Sequence, residues 1–153
     1  MKIHLVTVGR LKDKNLAALN GDYEKRITHY LPFETHAVRE GKGPEAQVKS
    51  AEATALKAAI PEGSHVILLD EHGKHSTSVE LADYLQNLMN RSTRHVAFVI
   101  GGAAGLDPDW LETADAKLAL SSMTLPHDIA RLILVEQIYR ACTILRGEPY
   151  HKA

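Results

Sequence analysis

Between Leu120 and Arg131 the chain reads L-S-S-M-T-L-P-H-D-I-A-R, a run that could both hold a ligand and move a proton. Ser121, Ser122 and Thr124 supply hydroxyls among the apolar Leu120, Met123 and Leu125, a lining suited to a flat, partly polar molecule. Pro126 marks a helix start: lacking an N–H, it fits a first turn whose amides have no helical partner. His127 and Arg131, four apart, then share one helical face and place a titratable ring near a cation. The same residues also fit an ordinary strand–loop–helix connection with a solvated His and Arg, so the rest of the chain has to decide.

Other chemistry-bearing residues lie further on. Glu136 and Arg140 have the spacing of a surface ion pair, which contributes only tenths of a kcal/mol, although the Arg could instead hold a phosphate. In the polar end of the chain Tyr150 offers a stacking ring, His151 a group of the class that titrates near neutral pH, and Lys152 a phosphate contact. The one cysteine, Cys142, falls inside an apolar helical pattern and reads as a small buried hydrophobe, not a nucleophile. Nine histidines raise the question of a metal. No H-E-x-x-H or Cys/His cluster is present, and His72 and His75 sit in a polar stretch without a third ligand, so no metal is expected.

The elements that would position these groups alternate between strand and helix. Apolar runs at Ile3–Val8, Phe33–Val38, 65–69, 95–100 and 117–120 read as strands. Helical spacing links Leu16, Leu19, Tyr23, Ile27 and Tyr30, weakened by Asn20-Gly21 and ended by Pro32. Further helices follow Pro44, a Thr77…Glu80 capping box, an Asp107-Pro108 start and Pro126, and Gly147 is placed to end the last one. Such alternation predicts an α/β fold with a mainly parallel sheet and helices on both faces, in one domain spanning residues 1–153.

In that fold ligands lie beyond the carboxyl ends of the strands. Three stretches meet that edge: 69–74 (L-D-E-H-G-K), 100–105 (I-G-G-A-A-G) and 120–125. Gly101, Gly102 and Gly105 let the backbone approach a ligand where a Cβ would collide. G-G-A-A-G lacks the G-x-G-x-x-G spacing and follows a late strand, which discourages a dinucleotide oxidoreductase. Gly73-Lys74 is followed by His75, where a P-loop needs Ser or Thr.

A formal net charge of −1 argues against a generic nucleic-acid binder, but the average hides an asymmetry. Residues 1–60 carry 10 Lys/Arg against 7 Asp/Glu and residues 61–119 carry 4 against 9, so a polyanion would meet the ends of the chain and would need a composite surface. A single Cys, no signal-like start and no membrane-length apolar run point to the cytoplasm, with no membrane partner.

Five strings occur in order: L-D-x-x-G-K at 69–74, F-V-I-G-G-x-x-G-L at 98–106, L-S-x-M-T-L-P-H at 120–127, R-L-I-L-x-E-Q-I-Y-R-A at 131–141 and P-Y-H-K at 149–152. On these the chain resembles the bacterial ribosomal RNA pseudouridine N3-methyltransferases of the SPOUT class, over nearly its whole length. The resemblance implies a C-terminal trefoil knot, a homodimer, S-adenosylmethionine as methyl donor, and a pseudouridine of 23S ribosomal RNA, in the large subunit or the assembled ribosome, as target. It places the cofactor pocket on Leu69, Gly101, Gly102, Gly105, Leu120, Ser121, Ser122, Met123, Thr124 and Leu125. Deprotonation of the target nitrogen falls to His127 or His151, with Tyr150 as an orienting alternative, and Arg131, Arg140 and Lys152 are the expected RNA contacts. A tail reaching across a dimer interface would build one site from two chains. The competing reading from another class is a non-catalytic α/β module that binds a nucleotide or the ribosome.

Overall fold

The computed structural model describes residues 1–152, and among them five strands and five helices alternate. They are β1 (Lys2–Val8), α1 (Lys14–Ile27), β2 (Phe33–Val38), α2 (Glu45–Ala59), β3 (His65–His75), α3 (Ser78–Asn90), β4 (His95–Ile100), α4 (Pro108–Thr113), β5 (Ala116–Ala119) and α5 (His127–Leu145). The strands form one sheet in the order β2-β1-β4-β3-β5, and every pairing is parallel.

Strand residues alternate between the two faces, and in β1 and β4 both faces are buried, which is why these inner strands read as continuous apolar runs. On one face Ile3, Leu5, Ile67, Val96 and Phe98 pack with Leu81 and Leu85 of α3 and with Leu134 and Ile138 of α5. On the other, Val6, Leu68 and Val99 meet Ala53 and Leu56 of α2 and Trp110 of α4. The predicted caps form: Asp107 accepts from the Trp110 amide, and Thr77 with Glu80 makes the full capping box; Asp13, not anticipated, caps α1 by accepting from the Leu16 amide. After α5 the amide of Glu148 donates to Thr143 and that of Gly147 to Ile144, a Schellman closure that needs the positive φ of Gly147.

Four local expectations change. In α1 the buried stripe includes Asn20, whose Nδ2 donates to the Leu16 carbonyl, while Leu19 is 44% exposed. The helix also stops at Ile27, leaving Tyr30 in the following turn, where its hydroxyl donates to Glu148. Pro126, with ψ 144°, is the extended flank of α5 and not its first residue; its carbonyl accepts from Ala130. The stretch after Leu69 does not end the strand: β3 continues to His75, and Leu118 of β5 pairs with both Leu69 and Lys74, so the ladder skips Asp70–Gly73.

Cys142 is 3% exposed on α5, and burial pushes its thiol up to about 11. On thiolate fraction alone, native protein at pH 8 is expected to react with a thiol dye roughly 100-fold more slowly than denatured chain. Equal rates would mean α5 opens at little cost.

Candidate active site

The skipped residues of β3 are what shape the site. Because Lys74 returns to the same partner that Leu69 left, Asp70 and Glu71 are pushed out beyond the sheet edge. Gly73 makes the return possible: a Cβ there would lie 2.8 Å from backbone atoms of Lys117 and Leu118. Beside this excursion, Gly101–Leu106 leaves β4 and folds back on itself, with the Gly105 amide donating to the Gly102 carbonyl and Gly105 at φ +83°. The stretch after β5 supplies the third wall, with the Ser121 hydroxyl accepting from the Met123 amide and Thr124 donating to Glu71 Oε2.

These three walls enclose a cleft of about 330 Å³, whose lining also includes His127 and Ala130 at the start of α5. The volume lies in the range of small-molecule pockets, roughly 300–1,000 Å³. Of the ten residues expected to hold a cofactor, nine line it; the exception is Ser122, which is exposed and not part of the wall. Met123 is 77% exposed at this cleft, a large apolar side chain left for something else to cover.

The residues expected to take the proton are not brought together within one chain. His127 stands at the cleft, whereas Tyr150 and His151 are fastened to the far half of α5. Tyr150 donates to Glu136 at 2.9 Å, stacks edge-on against Tyr139 and lies under the Arg140 guanidinium at 4.7 Å. Arg140 also donates to His151 and grips Glu136 through two nitrogens, with Nη2 at 2.6 Å. Glu136–Arg140 is therefore a partly buried pair inside a network, not the isolated surface pair its spacing suggests. Burial, then bonds to Tyr23 and Glu136, push the Tyr150 hydroxyl well above its ordinary range, so it serves as a donor. Arg131 is likewise occupied: it pairs with Glu24 of α1 at 3.2 Å and is largely covered. Lys152 is exposed.

A sequence model described as "Predicted SPOUT methyltransferase" matches residues 1–151. The chain belongs to that family. Family membership implies the trefoil knot expected above. Proteins named "Ribosomal RNA large subunit methyltransferase H" are among its relatives: one from Ruminiclostridium cellulolyticum is 42% identical, covering 99% of this chain and all of its own. Those from Listeria welshimeri and Anaeromyxobacter sp. (strain K) are 43% and 46% identical at the same coverage. A solved structure of a probable methylase family protein from Haemophilus influenzae Rd KW20 aligns with a TM-score of 0.56 at 13% identity, over 99% of this chain and 70% of that one, a likeness of fold alone.

In this SPOUT methyltransferase two features of the site escaped the sequence reading. Asp70 and Glu71 place carboxylates on the cleft wall. A second, larger depression shares Gly102, Ala103, Ala104 and His127 with the cleft and is bordered by Arg10 and Lys12 from the turn after β1. The signal is in the sequence: Gly9-Arg10 follows a parallel strand, at the same sheet edge as the three loops of the cleft.

Proposed function

We propose that this SPOUT methyltransferase uses S-adenosylmethionine to methylate N3 of a pseudouridine in 23S ribosomal RNA, acting in the cytoplasm as a homodimer of single-domain chains spanning residues 1–153. The observation that carries the reading is the cleft at the carboxyl edge of β3, β4 and β5. Its walls suit the donor: Leu69, Leu120 and Leu125 can enclose an adenine, the glycine loop and the Ser121–Thr124 run present backbone groups, and the Asp70 and Glu71 carboxylates favour a cationic sulfonium. The names of the curated relatives support ribosomal RNA as the substrate class.

When bound, S-adenosylmethionine supplies an electrophilic methyl group. The chain's own work is to orient the target nitrogen in line with it, keep water out and accept the proton that nitrogen loses. His127, on the rim shared by cleft and depression, is the acceptor a single chain offers. Within one chain the tail lies far along α5, so Tyr150, His151 and Lys152 serve the cleft of the partner, where the Tyr150 hydroxyl, released from Glu136, donates to the target base. Arg10 and Lys12 beside the depression and Lys152 in the tail are exposed cations suited to phosphates, which position RNA without specifying it. Arg131 and Arg140 act indirectly, by holding α1 and the tail.

Calorimetry is expected to show binding of S-adenosylmethionine and none of NADH. Mass spectrometry of 23S ribosomal RNA from cells lacking the gene is expected to show one N3-methylpseudouridine missing. Unchanged RNA would remove the proposed activity.

A further inference from the structure

Away from the cleft, the sheet register gathers imidazoles that the sequence keeps far apart. His36 on β2, His4 on β1 and His95 on β4 stand in a row, with His36 Nε2 3.1 Å from His4 Nδ1 and His4 Nε2 3.0 Å from His95 Nδ1. All three belong to the face that carries Val6, because Val6 pairs with His36 and Lys2 with His95. Glu34, opposite His4 in the register, brings Oε2 to 4.0 Å from His36 Nε2. One ligand atom from each of His4, Glu34 and His36 falls within 4.8 Å of the others.

We propose that His4, Glu34 and His36 form a binding site for a divalent cation of the imidazole-preferring class, Zn²⁺ foremost. Two nitrogens each about 2.0–2.1 Å from a tetrahedral ion stand roughly 3.3 Å apart, so the His4–His36 pair is already close to that spacing. A carboxylate oxygen nearby completes a mixed nitrogen and oxygen set of the kind zinc accepts, with a fourth position left to water. His95 supplies what such a site needs behind its first ligand. With Nε2–H of His4 donating to His95 Nδ1, the lone pair on His4 Nδ1 points at the ion, and the ring cannot turn.

Charge and burial fit the same assignment. His4 is 2% exposed, its ring held between those of His36 and His95. Glu34 is exposed and free to swing inward, but its Oε2 now accepts from Lys2 Nζ at 2.6 Å, and the ion must displace that ammonium. Once seated, it would tie the edge strand β2 to its neighbour β1.

The test uses the full chain stripped with chelator and titrated with Zn²⁺ by calorimetry and with Co²⁺ by visible absorption. One ion per chain is expected. His36→Ala should weaken binding at least tenfold, Glu34→Gln several-fold, and Lys2→Met should strengthen it by relieving the competition. His36 and Glu34 are partly or largely exposed on an edge strand, so both variants should keep the native circular dichroism. No binding at 100 µM ion, or binding that His36→Ala and Glu34→Gln leave unchanged, overturns the assignment. Neither result depends on methyl transfer, so the site stands or falls separately from the proposed activity.

Discussion

Replacing Gly73 by alanine is expected to lower the melting temperature by about 5–10 °C and to remove S-adenosylmethionine binding, whereas Gly21→Ala should raise stability slightly. At Gly73 the new methyl would sit 2.8 Å from Lys117 C and Leu118 N and 2.9 Å from Leu118 C, all backbone atoms that cannot rotate away. Relief requires β3 and β5 to separate, an overpacking cost of about 2–3 kcal/mol, and each kcal/mol is worth about 2–4 °C in a chain of this size. Separation would also move Asp70 and Glu71, because their position depends on Lys74 closing back onto Leu118. At Gly21, inside α1, a Cβ meets nothing within 4 Å. There the substitution only removes the flexibility of glycine in a helix, a gain of about 0.5–1 kcal/mol. Thermal melts and donor titrations of the two variants check both signs. A Gly73→Ala protein that melts and binds like the parent would mean the two strands are not packed as tightly as their backbones indicate.

That contrast shows what kind of information a sequence carries. The doubly buried strands, the helices on both faces and the gathering of three loops around a cleft are legible because each rests on local periodicity, on caps within four residues, or on the rule that parallel strands deliver their loops to one edge. The excursion at Asp70–Gly73 is not, since it depends on which β5 residue accepts the return of the strand, a fact of pairing between distant segments. Glu136–Arg140 could be paired from its spacing, but its burial under Tyr150 could not, because the chain has to turn back at Gly147 first. The histidines were counted correctly and their grouping missed: His4 and His36 lie 32 residues apart and meet only through the β1–β2 register. Leu19 and Asn20 were exchanged for a different reason. A hydrophobic stripe fixes the direction of a helix face only to within a residue, and Asn20 buries itself by satisfying one of its own donors on Leu16.

Removing residues 150–153 is expected to leave donor affinity within about twofold and to cut RNA methylation by at least about 100-fold, the usual weight of a positioned proton-transfer group. The reason is distance. Arg140 and Glu136, which hold Tyr150 and His151, lie ten and six residues along α5 from Ala130 on the cleft wall, about 15 and 9 Å at 1.5 Å per residue, and none of Tyr150, His151 and Lys152 lines the cleft. A tail so placed cannot be a wall of its own cleft, so its loss should spare donor binding. It affects chemistry only if a second copy brings it to the first copy's cleft. Mixed dimers decide the matter. A chain with an intact tail but Leu120→Arg, which puts a cation into the cleft against a sulfonium, should be inactive alone, as should the truncated chain. Together they should regain activity, because the heterodimer holds one cleft from the truncated chain served by one tail from the other. Single-turnover methylation of RNA by each protein and by the mixture gives the answer: recovery in the mixture requires a shared site. An unrecovered mixture of folded, dimeric proteins would return the tail to a purely structural role on α5, and His127 would then have to accept the proton unaided.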